Sequence, residues 1–213
     1  MTKPIDISNP ADVLDLGFEM FDDRAEKETT YMISPKIFRA NGKTTTINAL
    51  KKETLTDIFN VLPEEGEYVH IVSNGTFDYF TFVPVFVELL GKIDVMYSST
   101  WTMNRTNIQN LVKHFDAGEI LDISCMIGLY FKRKETGIYT SLLDGLMKRN
   151  QRVIACNTHA KIMLFQRGTD YYVIEGSANW TGNPRIEQNI VVKSEQLYMF
   201  HKQWMDEFFS RSG

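Results

Sequence analysis

Two short segments carry side chains suited to phosphoryl chemistry, His159-Ala160-Lys161 and Gly176-Ser177-Ala178-Asn179. They place an imidazole, an ammonium, a hydroxyl and a carboxamide within about twenty residues. Both read as β-like sequence. In a strand, residues two apart share a face. His159 and Lys161 are therefore expected to point one way together, and Ser177 and Asn179 likewise. Two such strands side by side would hold a phosphate between them. Cleaving a phosphodiester there needs a nucleophile, an acid for the leaving oxygen, and fixed positive charge on the non-bridging oxygens. Imidazole supplies the nucleophile, and lysine and asparagine neutralise and orient the oxygens. A carboxylate on the far ring nitrogen fixes the tautomer. One histidine cannot be nucleophile and acid in the same step, so a second is expected from the other subunit of a two-fold dimer.

The elements that must position these groups follow from periodicity. Residues 68–73 read as a buried strand, 76–90 as a helix stopped by Gly91, and 92–98 as a second strand. Residues 104–117 form an amphipathic helix pattern ending at Gly118. A third strand is expected over 119–131 and a third helix over 137–150. Strands over 152–166 and 171–177 are joined by the turn Arg167-Gly168-Thr169-Asp170, and 188–193 is the last strand. A closing helix over 194–211 has Ser194 as its N-cap and a stripe of Leu197, Phe200, Trp204 and Phe208.

Strands alternating with helices over short connections predict an α/β fold: a mixed, largely parallel sheet flanked by helices on both faces. Residues 1–213 are expected to form a single domain, less regular over 1–50 and with its α/β core over 67–211. Within the first part, 11–24 looks helical and 43–46 strand- or turn-like. In open α/β sheets, ligands gather at the carboxyl ends of the parallel strands. Here those ends carry Ser73-Asn74-Gly75, Ser98-Ser99-Thr100-Trp101 and Tyr130-Phe131-Lys132-Arg133.

At 213 residues, 43% hydrophobic and 23% charged, the chain has the composition of an ordinary globular protein. A net charge of −4 gives no global basic field to draw it to nucleic acid or anionic membrane, which leaves a local patch as the route. Cys125 and Cys156 lie in separate apolar runs and read as thiols of a reducing, cytoplasmic compartment. Residues 1–10 lack an apolar signal region, so no signal peptide is expected. The apolar stretch 77–90 is too short and interrupted to span a bilayer, so no stable membrane association is expected.

His159-x-Lys161, an apolar strand, then Gly176-Ser177-x-Asn179-Trp180-Thr181 resembles the HKD signature of the phospholipase D superfamily. The motif covers residues 159–189. The region from 74 to 105 is similar, loosely, to small single-motif members from phages and mobile elements. The resemblance implies a mixed-sheet α/β sandwich and metal-independent cleavage or transfer of phosphodiesters through a phosphohistidine. No cofactor and no metal ligands are implied. Single-motif members act as homodimers that place two motifs in one site. The resemblance makes His159 the nucleophile, or the acid in the other subunit. Lys161 and Asn179 become phosphate ligands, Ser177 their support, and Glu187 the carboxylate that orients the histidine. Three departures stand out. Gln166 occupies the position of the motif aspartate, the interval from Lys161 to Gly176 is three residues longer than usual, and Glu187 is displaced relative to its neighbouring Asn189. Asp170, in the longer turn, is either a partial substitute or a turn residue.

Lys132 and Arg133 are basic residues near a strand end, able to contact a polyanion backbone or simply to form a solvated face. Trp101, Tyr130, Phe131 and Trp180 could stack bases or pack in the core. His70, His114 and His201 have no comparable companions and read as structural or surface residues. The function expected is a nuclease acting on DNA or RNA. A catalytically weakened nucleic-acid- or protein-binding module is the alternative. A phospholipid hydrolase ranks lower, because the aromatics of 77–82 fit a buried helix face better than a membrane interface.

Overall fold

The computed structural model describes residues 36–40, 45–48, 55–73, 75, 77–182 and 185–210, all within the unit formed by 32–213. The helix expected over 11–24 lies outside them. The strands are β1 (Lys36–Ala40), β2 (Thr45–Asn48), β3 (Tyr68–Ser73), β4 (Val95–Thr100), β5 (Ile123–Gly128), β6 (Arg152–Cys156), β7 (Ile162–Arg167), β8 (Asp170–Gly176) and β9 (Glu187–Lys193). The helices are α1 (Leu55–Ile58), α2 (Phe82–Leu90), α3 (Arg105–Asp116), α4 (Leu129–Lys134), α5 (Thr136–Leu146) and α6 (Glu195–Ser210). Asn104 caps α3 through a 2.8 Å bond from the Asn107 amide, and Ser194 caps α6 through one of 3.2 Å from Leu197.

The strands form one mixed sheet in the order β2-β1-β3-β9-β8-β7-β4-β5-β6. Only the β4–β5 and β5–β6 pairs are parallel; the others are antiparallel. The α/β class and mixed sheet agree with expectation, but "largely parallel" does not describe the pairing. The cause is the place taken by the last three strands. A tight turn joins β7 to β8 and residues 177–186 join β8 to β9, making an antiparallel meander that lies between β3 and β4. Those two strands still run in the same direction, as do β5, β6 and β8, so the expected carboxyl ends share one edge.

The strand expected over 152–166 is two strands, with residues 157–161 between them. β6 borders β5, whereas β7 borders β4 on its opposite side. The connection must therefore cross the ends of β5 and β4, a path of about 14 Å at the usual strand spacing. The linking residues cover that with slack for a turn at Thr158, whose amide donates to the Cys156 carbonyl at 2.9 Å. His159 and Lys161 thus precede β7 rather than lie within it. The strand expected over 119–131 likewise stops at Gly128, and Tyr130, Phe131 and Lys132 belong to α4.

Helices α2, α3 and α5 bury one sheet face. There Phe86 stacks on Phe165 at 4.6 Å and on Phe59 at 5.9 Å. The aromatics of 77–82 contribute to this core, with Tyr79, Phe80 and Phe82 buried. Helix α6 covers the other face through Tyr198 and Met205, packed with Leu164, Val173 and Ile154. Its buried side carries Tyr198, His201 and Met205; of the expected stripe, Leu197 and Trp204 pack against this core, whereas Phe200 and Phe208 are exposed. A helix crossing a twisted sheet buries positions chosen by that sheet, and here Glu175 draws in His201, whose Nε2 lies 2.8 Å from Oε1. Among the described residues, no helix is long and apolar enough to cross a membrane.

Phe86→Ala removes the centre of the aromatic stack. It is expected to lower the unfolding free energy by about 3–5 kcal/mol, measured by urea denaturation; a loss below about 1 kcal/mol would contradict this packing account.

Candidate active site

The carboxyl ends of β4 and β8 and the starts of β7 and β9 meet at one sheet edge. Every element bearing an expected site residue ends or begins there. His159 and Lys161 lie just before β7, Ser177 and Asn179 just after β8, and Glu187 opens β9. Trp101 follows β4, and Tyr130 lies in the first turn of α4, directly after β5.

The connection bearing His159 is shaped by its neighbours. The Ala160 amide donates to Thr158 Oγ1 at 3.2 Å, a local turn made by a hydroxyl two residues back. Ser99 Oγ on β4 donates to the Ala160 carbonyl at 3.1 Å and lies 3.1 Å from Thr158 Oγ1. The Lys161 carbonyl accepts from the Gly176 amide at 3.1 Å, extending the β7–β8 ladder to the edge. The buried Tyr79 hydroxyl donates to the Ile174 carbonyl at 2.6 Å and lies 3.2 Å from that of Lys161. Gly176 is required by close approach: a Cβ there would collide with Asn189 Oδ1 and sit 2.8 Å from the Gln188 carbonyl.

Asn179 is held by the fully buried Trp180, which packs against Phe80 at 5.0 Å. The Trp180 amide donates to the Thr102 carbonyl at 3.2 Å, and its own carbonyl accepts from the Asn104 amide at 3.0 Å and Asn107 Nδ2 at 3.0 Å. Asn179 Oδ1 accepts from the Trp101 amide at 3.3 Å and the Thr100 hydroxyl at 3.4 Å. Because a backbone amide only donates, these bonds fix the carboxamide oxygen inward and leave Nδ2 as the donor presented to a ligand. Trp180 and Phe131 therefore serve the core and not base stacking, since both are fully buried.

Lys161 is 7% exposed. Its Nζ lies 2.8 Å from His159 Nδ1, 3.3 Å from Nε2 and 2.9 Å from the His159 carbonyl oxygen. Burial lowers the lysine pKa, opposed by the negative charge of Glu187. Partial burial and then the Lys161 charge lower the pKa of His159. An ammonium can only donate, so a charged Lys161 requires a neutral imidazole as acceptor. Glu187 Oε2 accepts from the Ser177 hydroxyl, and Ser177 Oγ accepts from the Gln188 amide at 3.1 Å. The cation, the imidazole, the presented amide and one carboxylate thus lie along one edge. An oxyanion suits the donors of this set.

The aromatic residues adjoin it. The Trp101 ring lies 5.3 Å from the His159 imidazole and stacks on Tyr130 at 4.8 Å. Lys132 and Arg133 are exposed in the last turn of α4, with Lys132 Nζ 5.7 Å from the Tyr139 ring. Gln166 lies at the opposite end of β7, where Nε2 donates to the Gly168 carbonyl at 3.2 Å and Oε1 is 3.5 Å from the Tyr198 hydroxyl. Asp170 pairs with Lys193 at 2.6 Å at that same far end, the role of a turn residue. His114 pairs with Glu119 at 2.6 Å, away from the site.

Sequence reasoning missed Tyr79, Thr158 and the Asn104–Asn107 pair. The hydroxyl of Thr158, two residues before the Ala160 amide, was a readable turn signal. Tyr79 acts across 82 residues of sequence to reach Lys161 and carries no local signal.

No protein-family profile matches the chain, and no curated protein matches it. Similar solved structures include a polyphosphate kinase from Porphyromonas gingivalis, at 18% identity and a TM-score of 0.47, covering 64% of this chain and 22% of that one. The archaeal chromatin protein TrmBL2, described with a novel mode of DNA binding, is similar at 10% identity and a TM-score of 0.48, covering 74% and 57%. A phosphatidylserine synthase from Haemophilus influenzae is similar at 11% identity and a TM-score of 0.45, covering 81% and 42%. The chain thus spans between 22% and 57% of the length of these proteins.

The lowered pKa gives a direct check. His159 is expected to titrate below 6.5 by NMR, staying neutral to lower pH than an exposed histidine, and Lys161→Met should move the midpoint up. A midpoint at or above 6.5, unmoved by Lys161→Met, would contradict the electrostatic coupling.

Proposed function

We propose that this chain is a metal-independent phosphodiesterase of the phospholipase D superfamily, acting on nucleic acid as a nuclease. The observation that carries this reading is the Lys161 ammonium set on the His159 imidazole beside the presented Asn179 amide. His159 attacks phosphorus; a nitrogen–phosphorus bond forms as the bond to the leaving oxygen breaks. Lys161 and Asn179 Nδ2 hold the non-bridging oxygens. The leaving oxygen takes a proton from the imidazolium of His159 of a second copy, in a homodimer that shares one site; that ring, once protonated, no longer accepts from its own Lys161. Water then gives a proton back to that imidazole and attacks phosphorus, and the nitrogen–phosphorus bond breaks.

Glu187 and Ser177 form the support for this edge, with Glu187 also opposing the Lys161 charge. Lys132, Arg133, Trp101 and Tyr130 form the substrate-binding margin. The replacement of the motif aspartate by Gln166 does not argue against turnover, because that side chain braces the far end of β7. A second reading, a binding module with little catalysis, draws on the Lys161 contacts that already engage both ring nitrogens. It predicts nucleic-acid binding that survives His159→Ala in a protein that cuts nothing.

Labelled single- and double-stranded DNA and RNA, incubated with the protein in excess EDTA, separate the two. The proposal expects cleavage, reduced by roughly 10³-fold or more in His159→Ala, and a dimeric mass in light scattering. An inactive wild type, undiminished cleavage by the variant, or an active monomer would contradict it.

A further inference from the structure

The margin of the site is more specific than a general phosphate cleft. Trp101 and Tyr130 come from different connections, yet their rings stack at 4.8 Å with planes 23° apart. The pair is seated by Gly128, where a Cβ would lie 2.6 Å from Trp101 Cδ1 and 3.0 Å from its carbonyl oxygen. The Trp101 backbone is further tied to Asn179 at 3.3 Å. The stack is therefore fixed relative to the phosphate-binding amide. Its outer member, Tyr130, is 45% exposed although stacked, so aromatic surface remains free on the Tyr130 side of the pair, while Trp101 is the ring that adjoins His159. Lys132 and Arg133 follow it on the same helix and are exposed.

We propose that the Trp101–Tyr130 stack is a base platform that selects single-stranded nucleic acid. This rests on the phosphodiester reading only for which phosphate lies on His159. With a phosphate on His159 and Asn179, a base along the same strand meets the exposed ring of Tyr130, stacked at 4.8 Å on Trp101, whose own ring lies 5.3 Å from the imidazole. Aromatic platforms take unpaired bases with little regard to identity. A base in a duplex has both faces covered by its neighbours and must be unstacked before it can use the platform. The stack thus rewards an unpaired strand and adds nothing for a duplex. The basic residues of α4 serve either form and set the salt dependence.

Fluorescence anisotropy with one labelled 20-nucleotide sequence tests this as single-stranded DNA, single-stranded RNA and DNA duplex. The wild-type protein should bind one or both single strands about tenfold or more tighter than the duplex. Tyr130→Ala should remove most of that preference, and Tyr130→Phe, which keeps the ring, should restore it. Matched thermal melts establish that each variant is folded. Equal affinity for single strand and duplex, or a preference untouched by Tyr130→Ala, would overturn the platform. The same samples, assayed for cleavage in EDTA, keep the two ideas apart: a Tyr130-dependent preference without cleavage sinks the phosphodiesterase and leaves the platform standing. Cleavage without the preference does the reverse.

Discussion

The burial of the Lys161 ammonium is the constraint around which the site is organised. A cation taken out of water is destabilising unless nearby groups replace its hydration. Here the replacements are the His159 imidazole and carbonyl at 2.8 and 2.9 Å, with Glu187 as the opposing charge. Each has a second consequence. The imidazole must remain neutral to accept from the ammonium. The carboxylate must stay close without quenching the cation, and its bond to Ser177 holds it there.

The sheet order meets this constraint in a way a fully parallel sheet could not. Placing β7–β8–β9 between β3 and β4 brings strand starts and strand ends to one edge. Residues 157–161 must then cross two strand ends, which places His159 at the edge ahead of β7. The buried Trp180 and the Tyr79 hydroxyl hold the segments on either side of it. Gly176 allows the strands to close beneath it. Packing on the helix-rich face and chemistry at the edge are therefore joined through a few backbone bonds.

Much of this was legible in the sequence, and the rest was hidden for physical reasons. Periodicity located β3, α3, β9 and α6, because each buries one face against a continuous core. The His159, Lys161, Ser177 and Asn179 set came from residue types and spacing and Glu187 from the family resemblance, and the fold brings all of them to one edge. Pairing was not legible. Apolar strands such as β5 and β7 carry no mark of direction, and the meander's insertion is decided by tertiary packing. The chain's departure from strand at 157–161 was masked by flanking apolar residues. The α6 stripe was half right: Leu197 and Trp204 pack on the core, but Phe200 and Phe208 satisfy a helical period while the sheet selects Tyr198, His201 and Met205.

If the proposed chemistry holds, His159 becomes covalently bonded to phosphorus during turnover. Intact-protein and peptide mass spectrometry after rapid acid-free quenching of a reaction with a nucleic-acid substrate in excess EDTA tests this directly. A nucleotidyl adduct is expected on the peptide containing His159, labile to acid and absent from His159→Ala. Cleavage with no adduct at His159 under conditions that preserve phosphohistidine, or an adduct on another residue, would contradict it.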